Sequence, residues 1–197
     1  ERAAGAEAAP DPDAEATPGH RHDAAAEPTA GPGDDAGASA TRAGDRLRGG
    51  APPADERVVV LHVVALAGER LVGSRLRDAL ERNGLRHGAY DIFHASDSEG
   101  STVFSAANAV EPGTFDRTTM DTLTTPGIAL FMQVPGPQSA ETVFDRMLST
   151  ARAVADELDA RVLDERHSTL TRQTEQHLRE ELRLLDRTAR TGQHGSR

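Results

Sequence analysis

The eight histidines and the paired carboxylates are the residues of this chain best suited to proton transfer or metal binding. Their spacing argues against both. His20 and His22 stand as His-Arg-His in an Ala/Pro-rich stretch, where two imidazoles on an unfixed backbone make a poor metal site. His62 falls mid-strand and reads as an imidazole at a sheet edge or groove rim. His87 and His94 are seven apart in one predicted strand, which puts them on opposite faces and too far apart to chelate. His167 and His177 stand alone. Asp156-Glu157 and Asp164-Glu165 have the residue types for acid/base work. Each pair has arginine nearby (Arg152, Arg161, Arg166), so solvated ion pairs are the expectation. The chain has no cysteine, which removes disulfides, thiolate chemistry and cysteine-based zinc sites. It also has no Gly-rich phosphate loop, nucleophile elbow or metal-ligand spacing. The expectation is a protein that is not an enzyme and uses no cofactor or metal.

The elements that would position a site are unevenly distributed. Of residues 1–56, 17 are Ala, 8 Gly and 7 Pro, and Leu47 is the only large aliphatic. Such a segment cannot bury enough apolar surface to offset its ordering entropy, which predicts a disordered acidic linker over 1–56. As a flexible coil it would reach roughly 40 Å. It carries 12 acids against 5 Arg, most of the net charge of −10. That charge argues against nucleic acid or an anionic lipid surface as the main partner. No run of about 18 apolar residues is present to span a membrane. The first residue is Glu1, which suggests a fragment whose upstream anchor is missing.

A folded domain is expected over 57–187, with 188–197 fraying as a disordered tail. Val58–Leu66 is short and β-branched, so it predicts a buried strand. Leu71–Arg82 predicts a helix stopped by Asn83-Gly84. Arg86–Ala95 predicts a second strand, turning through Ser96–Gly100 into Thr102–Val110. A long connection, Glu111–Pro126, precedes the strand Gly127–Val134. A helix over Ala140–Leu158, a short strand at Arg161–Asp164 and a helix from Thr171 to about Asp186 complete the order. The fold class is α+β, of the split β-α-β type. A mostly antiparallel six-stranded sheet carries about three helices on one face and leaves the other open.

Alternation assigns the faces. Val59, Leu61, Val63, Phe93, Phe104, Ile128, Leu130 and Met132 are large and apolar, and belong under the helices. The other set is Val58, Val60, His62, Tyr90, Ile92, Ser105, Ala107, Ala109, Ala129, Phe131 and Gln133. It mixes large apolar residues with a floor of alanines, the pattern of a shallow trough for a partner side chain.

The segments FSAANAVEPGTFD (104–116), TTPGIALFMQVP (124–135) and VADELDARVLDE (154–165) resemble the C-terminal domains of ZipA-type cell-division proteins. The similarity covers about residues 57–187 with the same order of elements. It implies binding of the C-terminal tail of the tubulin-like division protein FtsZ. It also implies tethering of FtsZ filaments to the cytoplasmic face of the inner membrane, through an anchor absent from this chain. Carried over by position, the tail-binding groove falls on Val58, Val60, Tyr90, Ile92, Ala107, Ala109, Ala129 and Phe131. Positions 90 and 109 are Tyr and Ala where family members can carry Met, and 129 is Ala rather than a bulkier residue, so the trough is expected to be shallower on one side. In outline the β-α-β-β-α-β core is also similar to RRM-type nucleic-acid-binding modules. Those need stacking aromatics and basic flanks, and this face offers Tyr90 and Phe131 without a lysine.

Overall fold

The computed structural model describes residues 57–192. The linker expected over 1–56 and the end of the tail, 193–197, lie outside the described residues. The elements run β1 (Arg57–Ala65), β2 (Leu71–Val72), α1 (Gly73–Arg82), β3 (Leu85–His87), β4 (Phe93–Ser96) and β5 (Thr102–Asn108). They continue with β6 (Thr124–Thr125), β7 (Gly127–Val134), α2 (Ala140–Leu158), β8 (Ala160–Leu163) and α3 (Arg172–Gly192). Six strands form one sheet in the order β3-β4-β5-β7-β1-β8, and β2 with β6 makes a separate two-stranded ribbon. Every pairing in the large sheet is antiparallel.

The centre of the sheet is the long β1–β7 pair, in register from Arg57↔Val134 to Val64↔Gly127. Gly127 is what allows that end to close, since a Cβ there would lie 2.6 Å from the Val63 carbonyl oxygen. Leu61, Val63, Phe104, Ile128 and Leu130 project to one side and form a continuous core with Phe144, Met147, Ala151 and Val154 of α2. Leu76, Ala79 and Leu80 of α1 and Leu182 of α3 enter the same core, so all three helices lie on this face. An Asp186 carboxylate from α3 accepts the Ala140 N–H at 2.9 Å and caps the N-terminus of α2, where the helix dipole favours negative charge.

Three expectations shift. The first helix starts at Gly73, not Leu71, because Leu71 and Val72 pair with Thr125 and Thr124. Gly73 then presses on the 120–123 loop so closely that a Cβ would sit 2.0 Å from the Met120 carbonyl oxygen. The strand expected at Arg86–Ala95 is instead a hairpin of β3 and β4, with Arg86 opposite His94. Its turn contains a 3₁₀ segment, Ala89–Asp91, with Tyr90 at φ 61 and Asp91 at φ 54. Here Gly88 lies against the His94 ring, donates its N–H to the Ile92 carbonyl at 2.9 Å, and breaks the run. Finally, α3 runs past Asp186 to Gly192, into the stretch expected to fray.

Candidate functional site

The sheet face away from the helices carries a second apolar cluster: Val60, Ile92, Ala107, Ala129 and Phe131, with Val58 packed against it. Each element contributes by register. Val60 of β1 stands opposite Phe131 of β7, and Ala107 of β5 stands opposite Ala129 of β7. The two alanines thus lie among the larger side chains of Val60, Phe131 and Ile92. Ile92 belongs to no strand; it follows the 3₁₀ segment with extended backbone and is brought in by the turn. No described helix contributes to the cluster, yet Phe131 is 2% exposed.

Two of the eight expected groove residues stand apart from this cluster. Tyr90 sits on the 3₁₀ segment and is 49% exposed, among the most open large apolar side chains of the domain. This leaves Phe131 as the one Phe, Tyr or Trp in the cluster on the helix-free face among the described residues, where a nucleic-acid platform needs several. Ala109 lies one residue beyond β5, buried, with its N–H donated to the Gly127 carbonyl at 3.0 Å. The turn bearing Tyr90 is tied to the 111–126 connection, since the Phe115 N–H donates to the Asp91 carbonyl. The connection is itself held by buried polar bonds: the Thr125 hydroxyl donates to Asn108 Oδ1 at 2.6 Å, where β5 and β7 separate.

Two of the histidines, His62 and His167, depart from expectation. His62 is not at a rim but fully buried, and His167 is not alone. Their rings stack at 4.1 Å, and neither His62 nitrogen has a hydrogen-bond partner. Burial, with the neighbouring His167, lowers the His62 pKa to about 4, partly opposed by Asp164. The imidazole is thus neutral near neutral pH, a packing group rather than a proton shuttle. His94 lies on the helix-free face; its Nε2–H donates to the Ala89 carbonyl at 2.9 Å, and its Nδ1 is hydrogen-bonded to the Ser105 hydroxyl at 2.9 Å. His87 turns to the other side and donates to the Phe115 carbonyl at 2.7 Å.

The acidic pairs beside β8 do not converge. Glu157 pairs with Arg82, and an Asp164 carboxylate oxygen accepts the N–H groups of Arg166 and Ser168 in a tight turn. Among the described residues no group of three or more His, Asp or Glu could hold a metal ion. No described helix is long and apolar enough to cross a membrane.

Beside the apolar cluster a cleft of about 710 Å³ opens, lined by Phe131, Gln133 and Ser105 and reaching His94 and Arg86. Period-two alternation had already put Ser105 and Gln133 on this face. Arg86 and His94 share the parity of Tyr90 and Ile92, but reading 86–95 as one strand hid that they stand opposite each other across a hairpin.

A family model described as ZipA, C-terminal FtsZ-binding domain, matches residues 57–181. The chain is 43% identical over 148 residues to the cell division protein ZipA of Marinobacter nauticus, covering 74% of this chain and 44% of that protein. It is 37% identical over 139 residues to ZipA of Colwellia psychrerythraea, covering 69% of this chain and 37% of that protein. Against ZipA of Pseudomonas aeruginosa it is 39% identical over 142 residues, covering 71% of this chain and 48% of that protein. The chain spans about half, or less, of the length of these relatives.

Proposed function

Since the chain belongs to the family of ZipA C-terminal, FtsZ-binding domains, we propose that it is a non-enzymatic cell-division adaptor that binds the C-terminal tail peptide of FtsZ. Residues 57–187 are the binding domain in this reading, and 1–56 the linker that gives it reach. Binding tethers FtsZ filaments at the cytoplasmic face of the inner membrane, with membrane attachment supplied from outside these 197 residues.

The observation that carries the reading is the small apolar cluster on the face that the described helices leave alone. A sheet face facing water is ordinarily polar. In this reading Val58, Val60, Ile92, Ala107, Ala129 and Phe131, gathered in one cluster, receive an apolar side chain of the incoming peptide. Tyr90, exposed at the hairpin turn, and Ala109, just past the end of β5, extend the site. Phe131 is the anchor, since central aromatic residues dominate such interfaces.

The test is a fluorescence-anisotropy titration with a labelled FtsZ C-terminal peptide. Phe131→Ala is expected to weaken binding by more than about tenfold, or roughly 1.4 kcal/mol. Circular dichroism and a melt on the same sample separate a lost site from a lost fold, and Phe131→Leu serves if the alanine variant unfolds. An unchanged affinity in the folded variant removes Phe131 from the site. Apolar burial supplies most of the energy, so the salt dependence is expected to be weak.

A further inference from the structure

The groove does not end at Phe131. Register carries a single row of side chains across five strands on the helix-free face. Val60 is opposite Phe131, Phe131 opposite Ser105, Ser105 opposite His94, and His94 opposite Arg86. The row therefore changes from apolar to hydroxyl to imidazole to guanidinium as it approaches the β3 edge. The cleft beside Phe131 follows the same path.

Charge makes this cleft unusual for the molecule. The chain has a net charge of −10, yet no Asp or Glu lines the cleft. Arg86 is exposed at its outer end, and no salt bridge to it is found among the described residues. His94 has both ring nitrogens engaged, by Ala89 and Ser105, so it spaces and orients the row, and Arg86 is the guanidinium at its end.

We propose that the cleft is a second subsite for the peptide that docks at Phe131, and that Arg86 there receives a carboxylate of that peptide. The inference rests on the peptide-binding reading above. A guanidinium offers a planar fork matched to a carboxylate, and no carboxylate of the cleft competes for it. Strands lie about 4.8 Å apart, so Arg86 stands about 14 Å from Phe131 across three inter-strand steps. An extended peptide crosses that distance in about four residues and a helical one in about nine. The acidic residue read by Arg86 therefore lies at about one of those two spacings from the apolar anchor.

The experiment compares two labelled peptides: the FtsZ C-terminal peptide, and the same peptide with every Asp and Glu replaced by Asn or Gln. Each is titrated against the wild-type chain, Arg86→Ala, Arg86→Glu and Phe131→Ala. Arg86 is exposed on an edge strand, and a melt verifies that its variants fold. Arg86→Ala is expected to cost about threefold toward the native peptide at low salt and Arg86→Glu about fivefold or more, with both losses shrinking as salt is raised. The neutralised peptide is expected to bind the wild type and both Arg86 variants alike. Equal binding of the native peptide by wild type and Arg86→Glu overturns the subsite. So does a loss that persists with the neutralised peptide. If Phe131→Ala weakens binding while the Arg86 variants do not, the groove stands and only the subsite falls. If none of the variants matters, both readings fall together.

Discussion

The two faces of the central sheet are made by alternate residues of the same strands, yet they are built to different ends. On the helix-covered face Leu61, Phe104, Ile128 and Leu130 meet Phe144, Met147 and Val154 of α2, and large side chains fill a thick interior. On the opposite face the matching positions are Val60, Ala107, Ala129 and Phe131, a small cluster in which two members are alanines. The covered face uses volume because its partners are fixed elements of the same chain, and close packing there sets stability. The other face sets small side chains beside large ones, and in the reading proposed above that is where the FtsZ peptide docks. Deleting atoms from the first is expected to cost folding free energy, and deleting them from the second to cost binding.

The largest effect that would break this comparison lies in the covered face. Phe144→Ala, at a fully buried position between sheet and helices, is expected to cost about 3–5 kcal/mol in urea unfolding. The peptide affinity of the molecules that remain folded should be unchanged. A loss below about 1 kcal/mol, or a loss of affinity in the folded protein, would erase the division of labour between the faces.

The next effect sharpens the comparison at its margin, where His62 of the helix-free face is sealed by His167. The folded pKa of His62 is about 4, below the ordinary histidine value of 6.5. Between those values the unfolded chain binds the proton and the folded chain does not, so stability rises with pH across the window. The stability from the neutral imidazole is complete above about pH 6.5 and erodes by about 3 kcal/mol as pH falls to about 4. His167 and Asp164 are the groups acting on it, His167 lowering and Asp164 raising the pKa. Unfolding midpoints measured from pH 4.5 to 7.5 should slope accordingly in the wild type and less so in His62→Phe. Equal slopes would show that the buried ring is not what titrates. Phe131→Ala, with its tenfold loss of peptide affinity, is smaller in free energy and acts on binding.

The smallest effect tests whether the last helix belongs to the covered face alone. The Thr171 hydroxyl accepts the Thr174 N–H at 3.2 Å, an N-cap interaction at the start of α3. Thr171→Ala is expected to cost about 1 kcal/mol of stability, read from a thermal melt. Peptide binding should not change, since the apolar contacts of α3 are made on the covered side.

Much of this was legible in the residues. Alternation separated Leu61 and Leu130 from Val60 and Phe131, because strand periodicity is strict wherever the backbone stays extended. Gly127–Val134 and Ala140–Leu158 came out with the expected ends, each bounded by Pro, Gly or a polar capping segment. The reading failed where backbone direction depended on a contact made elsewhere. Tyr90 was counted as a strand residue because its neighbours are strand formers. Its left-handed conformation comes with a turn held by His94, Ile92 and Phe115. Val103 shows the same limit: pairing slips between Ala95 and Ser96, and Val103 joins the covered core that alternation alone would deny it.

By itself, then, the sequence determined which residues are apolar, at what period, and where the chain must turn. That was enough for an α+β domain with one face to spare, because burial and alternation act locally along a strand. Only the tertiary structure decided which strands are neighbours. It paired β3 with β4, β5 with β7 and β1 with β8, and so stacked His62 on His167 and laid Arg86, His94, Ser105, Phe131 and Val60 in one row. Residues far apart in the chain become neighbours through inter-strand hydrogen bonding, and no local period along the sequence encodes that.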